Sequence, residues 1–131
     1  MCSYCGCRSI SVIGELTEEH EQIINAAGEL RRAASTGDAT AAGEHARAVA
    51  WLLHSHTARE ERGLFRELRL DAEFTDHIDS LTDEHDEIDL LLEEVLAGEL
   101  ARVTQLVDLL RAHIDREEDG LFPAAAIALF G

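Results

Sequence analysis

The chain has 131 residues, about one domain's length. At 46% hydrophobic it can bury a core, which excludes a wholly disordered chain. Eleven Lys plus Arg against 27 Asp plus Glu leave a formal charge of −16, a balance that repels nucleic acid and anionic membrane alike.

No run approaches the roughly 20 apolar residues of a membrane span. No basic start followed by an apolar run marks a secretory signal, so the expected compartment is cytoplasmic. A single proline, Pro123, no strand-like alternation and abundant Ala, Leu and Glu predict an all-α domain. Residues 1–14 read as an N-terminal tail carrying Cys2, Cys5 and Cys7, set apart from a domain over 15–131. Three thiolates are one short of a closed tetrahedral site, and a redox or metal role stands beside a plain docked or disordered tail.

From about Leu16 the text becomes helical, with Thr17 as the expected N-cap and Ile23, Ile24, Ala27 and Leu30 as an apolar stripe. Ser35-Thr36-Gly37 closes this helix, and Asp38 caps a second over about 39–68, with Val49, Leu52, Leu53, Leu64 and Phe65 as core candidates. A third spans about 75–96 and stops at Gly98. A fourth spans about 100–119, with Gly120 and Pro123 ending it, and a short helical tail, 124–130, packs as a lid. Four helices with short connections predict an antiparallel up-down-up-down four-helix bundle.

The two halves repeat. Leu16-Thr-Glu-Glu-His20-Glu-Gln-Ile23 recurs as Leu81-Thr-Asp-Glu-His85-Asp-Glu-Ile88. His56-Thr-Ala-Arg-Glu60-Glu-Arg-Gly-Leu-Phe65 recurs as His113-Ile-Asp-Arg-Glu117-Glu-Asp-Gly-Leu-Phe122. Each first helix keeps one histidine, and each second helix keeps a histidine and a glutamate four residues on, about 40° apart around the axis and about 6 Å along it. Closing the bundle brings together His20, His56, Glu60, His85, His113 and Glu117.

Two buried carboxylates repel, and each unpaired buried charge costs several kcal/mol. A pair of cations removes the conflict. Four imidazoles and two carboxylates form the ligand set of a two-metal site bridged by Glu60 and Glu117. Symmetry pairs His20 with His56 and His85 with His113, although spacing does not fix that pairing. The donor set suits two iron ions, oxo- or hydroxo-bridged, with zinc or manganese as alternatives. Open coordination positions suit peroxide, dioxygen or nitric oxide.

Glu61 and Glu118 fall about 100° further round and read as solvated or as outer partners of the imidazoles. Glu19 and Glu84 read as helix-start acids, with a hydrogen bond to imidazole as the alternative. Leu16 and Leu81 read as hydrocarbon walls, and His45, His54 and His77 as non-ligands.

These twofold "EH … HxxxEE…LF" phrases resemble the hemerythrin-like family, the HHE cation-binding domains, over about residues 16–123. The resemblance implies a four-helix bundle holding a non-haem di-iron centre that binds dioxygen, handles nitric oxide or peroxide, or senses iron and oxygen. Oxygen-carrying members have a further histidine where this chain has Leu81, and close with an aspartate five residues after the last histidine, where this chain has Glu117 four residues after His113. The pattern is similar instead to an actinobacterial-type subgroup, which implies catalase-like peroxide breakdown. The rival expectations are a dioxygen or nitric-oxide binding module without turnover, and a structural or iron-handling protein. Neither names a redox partner.

Overall fold

The computed structural model describes residues 7–130, with side chains over 12–129. Cys2 and Cys5 lie outside the described residues, as does the side chain of Cys7. All regular structure among the described residues is helical: α1 (Cys7–Ser35), α2 (Ala39–Arg59), α3 (Phe65–Leu68), α4 (Thr75–Leu96), α5 (Val103–Arg116) and α6 (Phe122–Phe130). A π turn, Glu60–Leu64, joins α2 to α3, and a second, Glu117–Leu121, joins α5 to α6. Helix α1 packs on α2 and α5, and α4 packs on the same two. This ring is the antiparallel four-helix bundle expected, with α6 as the C-terminal helix.

The first helix starts nine residues before Leu16, so Thr17 is interior to α1 and not its cap. The apolar stripe explains the earlier start. Ile13 and Leu16 extend the spacing of His20, Ile23, Ala27 and Leu30 backwards, and Ile13 packs against a buried cluster. Residues 7–14 of the expected tail are thus continuous with a bundle helix.

Tight turns join the long helices. Gly37, at φ 75°, closes α1: its N–H bonds the Ala34 carbonyl at 3.1 Å, and the Asp38 N–H bonds that of Ala33 at 3.1 Å. Asp38 then caps α2, its side chain accepting from the Ala41 N–H at 3.0 Å. Gly98, at φ 106°, repeats the arrangement after α4. From His20 to Gly37 is four residues longer than from His85 to Gly98, and Gly37 to His56 is four longer than Gly98 to His113. The first hairpin is therefore one turn taller on each arm, which leaves the register at the histidines unchanged.

The fourth helical run does not end at Gly120 or Pro123. It passes through the π turn, in which the Phe122 N–H bonds the Glu117 carbonyl, into α6. Pro123 is the second residue of α6, a first-turn position where proline is tolerated. Both π turns have a common cause. His56, Glu60, Leu64 and Leu68 are buried at strict four-residue spacing, as are His113, Glu117, Leu121 and Ala125. On an α-helix each such step drifts by about 40°. One wide turn absorbs the drift and keeps all four side chains inward.

Two apolar clusters fill the bundle. One holds Ile23, Ala27, Leu30, Val49, Leu53, Ile88, Leu92, Leu106 and Leu110 among its members, with Leu52 packed half-buried against it. The other holds Leu16, Leu64, Phe65, Leu68, Ile78, Leu81, Leu121, Phe122 and Ala125. Leu106 is completely buried in the first. Leu106→Ala should cost about 2–5 kcal/mol through the cavity it leaves, read as a lower urea midpoint with an unchanged slope.

Candidate metal centre

A polar layer separates the two apolar clusters. On α1, His20 stands between Leu16 of one cluster and Ile23 of the other; on α4, His85 stands between Leu81 and Ile88. On the second helix of each hairpin the order is Leu53, His56, Glu60, Leu64, and Leu110, His113, Glu117, Leu121. His20, His56, Glu60, His85, His113 and Glu117 are the buried polar or charged residues among those described, none more than 3% exposed.

All four imidazoles are held the same way. Nδ1 of His20 bonds Glu118 at 2.6 Å, that of His56 bonds Glu19 at 2.8 Å, that of His85 bonds Glu61 at 2.7 Å and that of His113 bonds Glu84 at 2.7 Å. Every Nε2 is left facing the interior. Glu19 and Glu84, read as helix-start acids in the first instance, are hydrogen-bonded to imidazole instead. Each lies directly before the histidine of its own helix yet bonds the histidine of the next helix. Glu61 and Glu118 cross between hairpins. No helical-wheel angle reports this, because the partner lies on a neighbouring helix and the π turn starts at the preceding glutamate. Arg59 bonds Glu19 and, at 2.6 Å, Glu15; Arg116 bonds Glu84 and, at 3.1 Å, Ser80 Oγ. Thr17 donates to Glu118 at 3.1 Å.

The phenylalanines of the repeated phrases complete the enclosure. Phe122 stacks on His20, with ring centroids 5.4 Å apart and planes 2° from parallel; Phe65 stacks on His85 at 5.7 Å and 10°. Sequence reading placed Phe65 in the core but missed the stacking; the Gly-Leu-Phe common to both phrases was the available signal.

The interior is in electrostatic conflict. Burial tends to raise the Glu60 carboxyl, but the imidazoles of His56 and His85 hold it below the usual carboxylate range. Burial and the neighbouring Glu60 charge push Glu117 well above it. Burial tends to lower both His56 and His85; Glu60 and the outer carboxylates Glu19 and Glu61 raise them nonetheless. Burial lowers His20, aided by the His56 charge, and burial with the His85 charge pushes His113 down to about 3. His85 Nε2 and His113 Nε2 lie 3.1 Å apart, within hydrogen-bond distance, and His20 Nε2 lies 3.0 Å from Glu117 Oε1. Glu60 lies within ion-pair distance of His56 Nε2 (3.4 Å) and His85 Nε2 (3.2 Å), yet His56 Nε2, both Glu60 oxygens and Glu117 Oε2 make no well-formed hydrogen bond. Buried polar atoms that converge without well-formed hydrogen bonds are what a cation would satisfy once the imidazoles are neutral.

Two overlapping sets can hold one: His20, His56, Glu60 and Glu117, and Glu60, His85, His113 and Glu117, each offering four ligand atoms within 4.8 Å of one another. His45, His54 and His77 belong to neither set. His54 faces Asp89 at 3.6 Å on the surface.

The sequence matches the hemerythrin HHE cation binding domain over residues 11–125. The chain belongs to that family. The hemerythrin family's cation-binding character accords with the His/Glu clusters of the polar layer. No curated protein and no solved structure gives a significant match. Among the described residues no helix is long and apolar enough to cross a membrane.

In the metal-free protein, the folded state holds protons on His56 and His85 above the ordinary imidazole value of 6.5. Their contribution is fully present below that value and is lost as pH rises through the raised ones. The raised Glu117 acts in the same direction, and the lowered His20 and His113 act against it. With three groups against two, urea unfolding of the metal-free protein should give lower stability at about pH 8 than at 6.5. Flat stability over that window would contradict the assignment of charge in this layer.

Proposed function

We propose that this hemerythrin-family chain is a non-haem di-iron protein that reacts with a small oxidant, hydrogen peroxide above all. The observation that carries the reading is the convergence of four Nε2 atoms and two carboxylates on one buried layer with four of those inward atoms lacking a well-formed hydrogen bond. His20 and His56 would hold one ion, His85 and His113 the other, and Glu60 and Glu117 would serve both, as the two overlapping sets suggest. Imidazole with carboxylate suits iron, with zinc or manganese as competitors. A redox-active ion pair supplies the electron cycling that peroxide breakdown to water and dioxygen needs.

The protein's own residues contribute position and exclusion. The outer carboxylates fix each imidazole ring with Nε2 inward. The phenylalanine faces and the buried Leu16 and Leu81 keep bulk water from the layer. The family's oxygen carriers have a histidine in place of Leu81; here that position is hydrocarbon, and the donor set is two histidines per ion. That symmetry favours redox cycling of both ions over reversible dioxygen carriage at one. Binding of dioxygen or nitric oxide without turnover is the second reading. It is favoured by the same hydrocarbon walls, which carry no proton donor. A cytoplasmic setting fits either reading, and the −16 charge argues against nucleic acid or an anionic membrane as partner.

Elemental analysis should find two irons per chain, with a near-ultraviolet oxo-to-iron band. Peroxide should then release dioxygen, and Glu60→Ala should abolish that release by removing a carboxylate shared by both ion sets. Stoichiometric ligand binding without dioxygen release selects the second reading, and a colourless zinc-loaded protein rejects both.

Loading must displace protons from His56, His85 and Glu117, so zinc titration in weak buffer should release protons, and apparent affinity should fall as pH drops. Chelation should lower Tm, since a ligand at a hundredfold its Kd stabilises by about 2.7 kcal/mol. An unchanged Tm after verified metal removal contradicts a buried site.

A further inference from the structure

A surface groove of about 370 Å³ is lined by Val12, Leu16, Ala58, Arg59, Arg62 and Gly63. Its lining is mostly hydrocarbon, with two guanidinium groups, and Arg62 is exposed. Leu16 is both a wall of this groove and the residue one turn before His20 on the buried face, about 6 Å along the axis. Arg59 immediately precedes Glu60 and binds Glu19, the partner of His56. The groove thus ends on the buried Leu16, one turn from His20, on the side of His20 and His56.

The internal repeat supplies a control within the same molecule. The residues corresponding to this lining are His77, Leu81, Asp115, Arg116, Asp119 and Gly120. Leucine, arginine and glycine are kept, but Val12 is replaced by His77. At Gly63 an added β-carbon would meet nothing within 4 Å; at Gly120 it would meet His77 Cε1 at 3.8 Å. The half-buried His77 ring thus lies against Gly120, where the other half has Val12 and nothing near Gly63. The rim charge differs as well: Arg62 faces one side, Asp119 the other. On a chain of net charge −16, the open side is the one that does not repel an anion.

We infer that the Val12–Leu16–Gly63 groove is an entry port through which small uncharged or singly anionic ligands reach the buried layer, and that His77 plugs its counterpart. Leu16 is the gate, since the hydrocarbon between groove and His20 must move for a ligand to pass. The port rests on the di-iron reading for its destination, though not for its existence.

Two sets of measurements keep those apart. In iron-loaded protein, azide association followed by stopped-flow absorbance should slow by about tenfold in Val12→His, which copies the plug into the open half. Gly63→Leu, placed where a β-carbon meets nothing, should do the same. Dissociation should slow in parallel, leaving Kd unchanged, because a port changes rates and not the bound state. His77→Val should speed association by about twofold at most, since it adds one equivalent port. Arg62→Glu should slow azide and leave nitric oxide unaffected. In metal-free crystals under xenon, one xenon should occupy the groove in the parent protein, and His77→Val should gain a second beside Gly120. Unchanged azide rates in both blocking variants, each shown folded by circular dichroism, overturn the port. So does an empty groove under xenon. Failure to take up iron defeats the di-iron reading and leaves the xenon result to decide the port.

Discussion

The organising constraint of this molecule is the burial of six polar side chains in one layer between two hydrocarbon clusters. Glu60 and Glu117 cannot both be ionised there without a counter-charge, and the metal-free layer adapts by splitting its groups. Glu60 is held low and Glu117 pushed high; His56 and His85 are raised, His20 and His113 lowered. Such a compromise still leaves four inward atoms without a well-formed hydrogen bond. Everything around the layer makes sense as the means of holding it. The π turns keep the glutamates inward, the outer carboxylates fix the rings, and the phenylalanines close the faces.

Much of this was legible in the sequence because it depends on short-range periodicity. The i, i+4 pairing of His56 with Glu60 and of His113 with Glu117 is a property of one helix, and the repeated phrases doubled the signal. Glu19, Glu61, Glu84 and Glu118 were harder because their partners lie on other helices. A wheel drawn for one α-helix places Glu61 at an uninformative angle, whereas the folded chain bonds it to His85 at 2.7 Å. The π turns were encoded as strict four-residue spacing, which α-helical geometry cannot sustain over three steps. Gly120 and Pro123 looked like stop signals because their usual meaning assumes a uniform helix. The start of α1 was set too late because charged residues around Thr17 imitate a cap, while Ile13 and Leu16 continue the buried stripe.

The two halves are alike where the layer needs them to be and differ elsewhere. Arg59 and Arg116 anchor equivalent glutamates, and Phe65 and Phe122 stack on equivalent rings. Thr17 bonds Glu118, yet the hydroxyl oxygen of its half-buried counterpart Thr82 is shielded from solvent and unpartnered. The extra turn on each arm of the first hairpin enlarges one apolar cluster without disturbing the layer. Departures from symmetry thus fall on the periphery, where access and stability are set.

The outer hydrogen bonds divide evenly: Glu19–His56 and Glu84–His113 close within a hairpin, while Glu61–His85 and Glu118–His20 join one hairpin to the other. A lone hairpin would keep half of these bonds and leave its first-helix imidazole unanchored. Two identical copies of one hairpin, facing each other across a dyad, would recover them all. The covalent link through α3 therefore does for the two hairpins what a dimer interface would otherwise have to do: it keeps each one's anchoring carboxylate within reach of the other's imidazole.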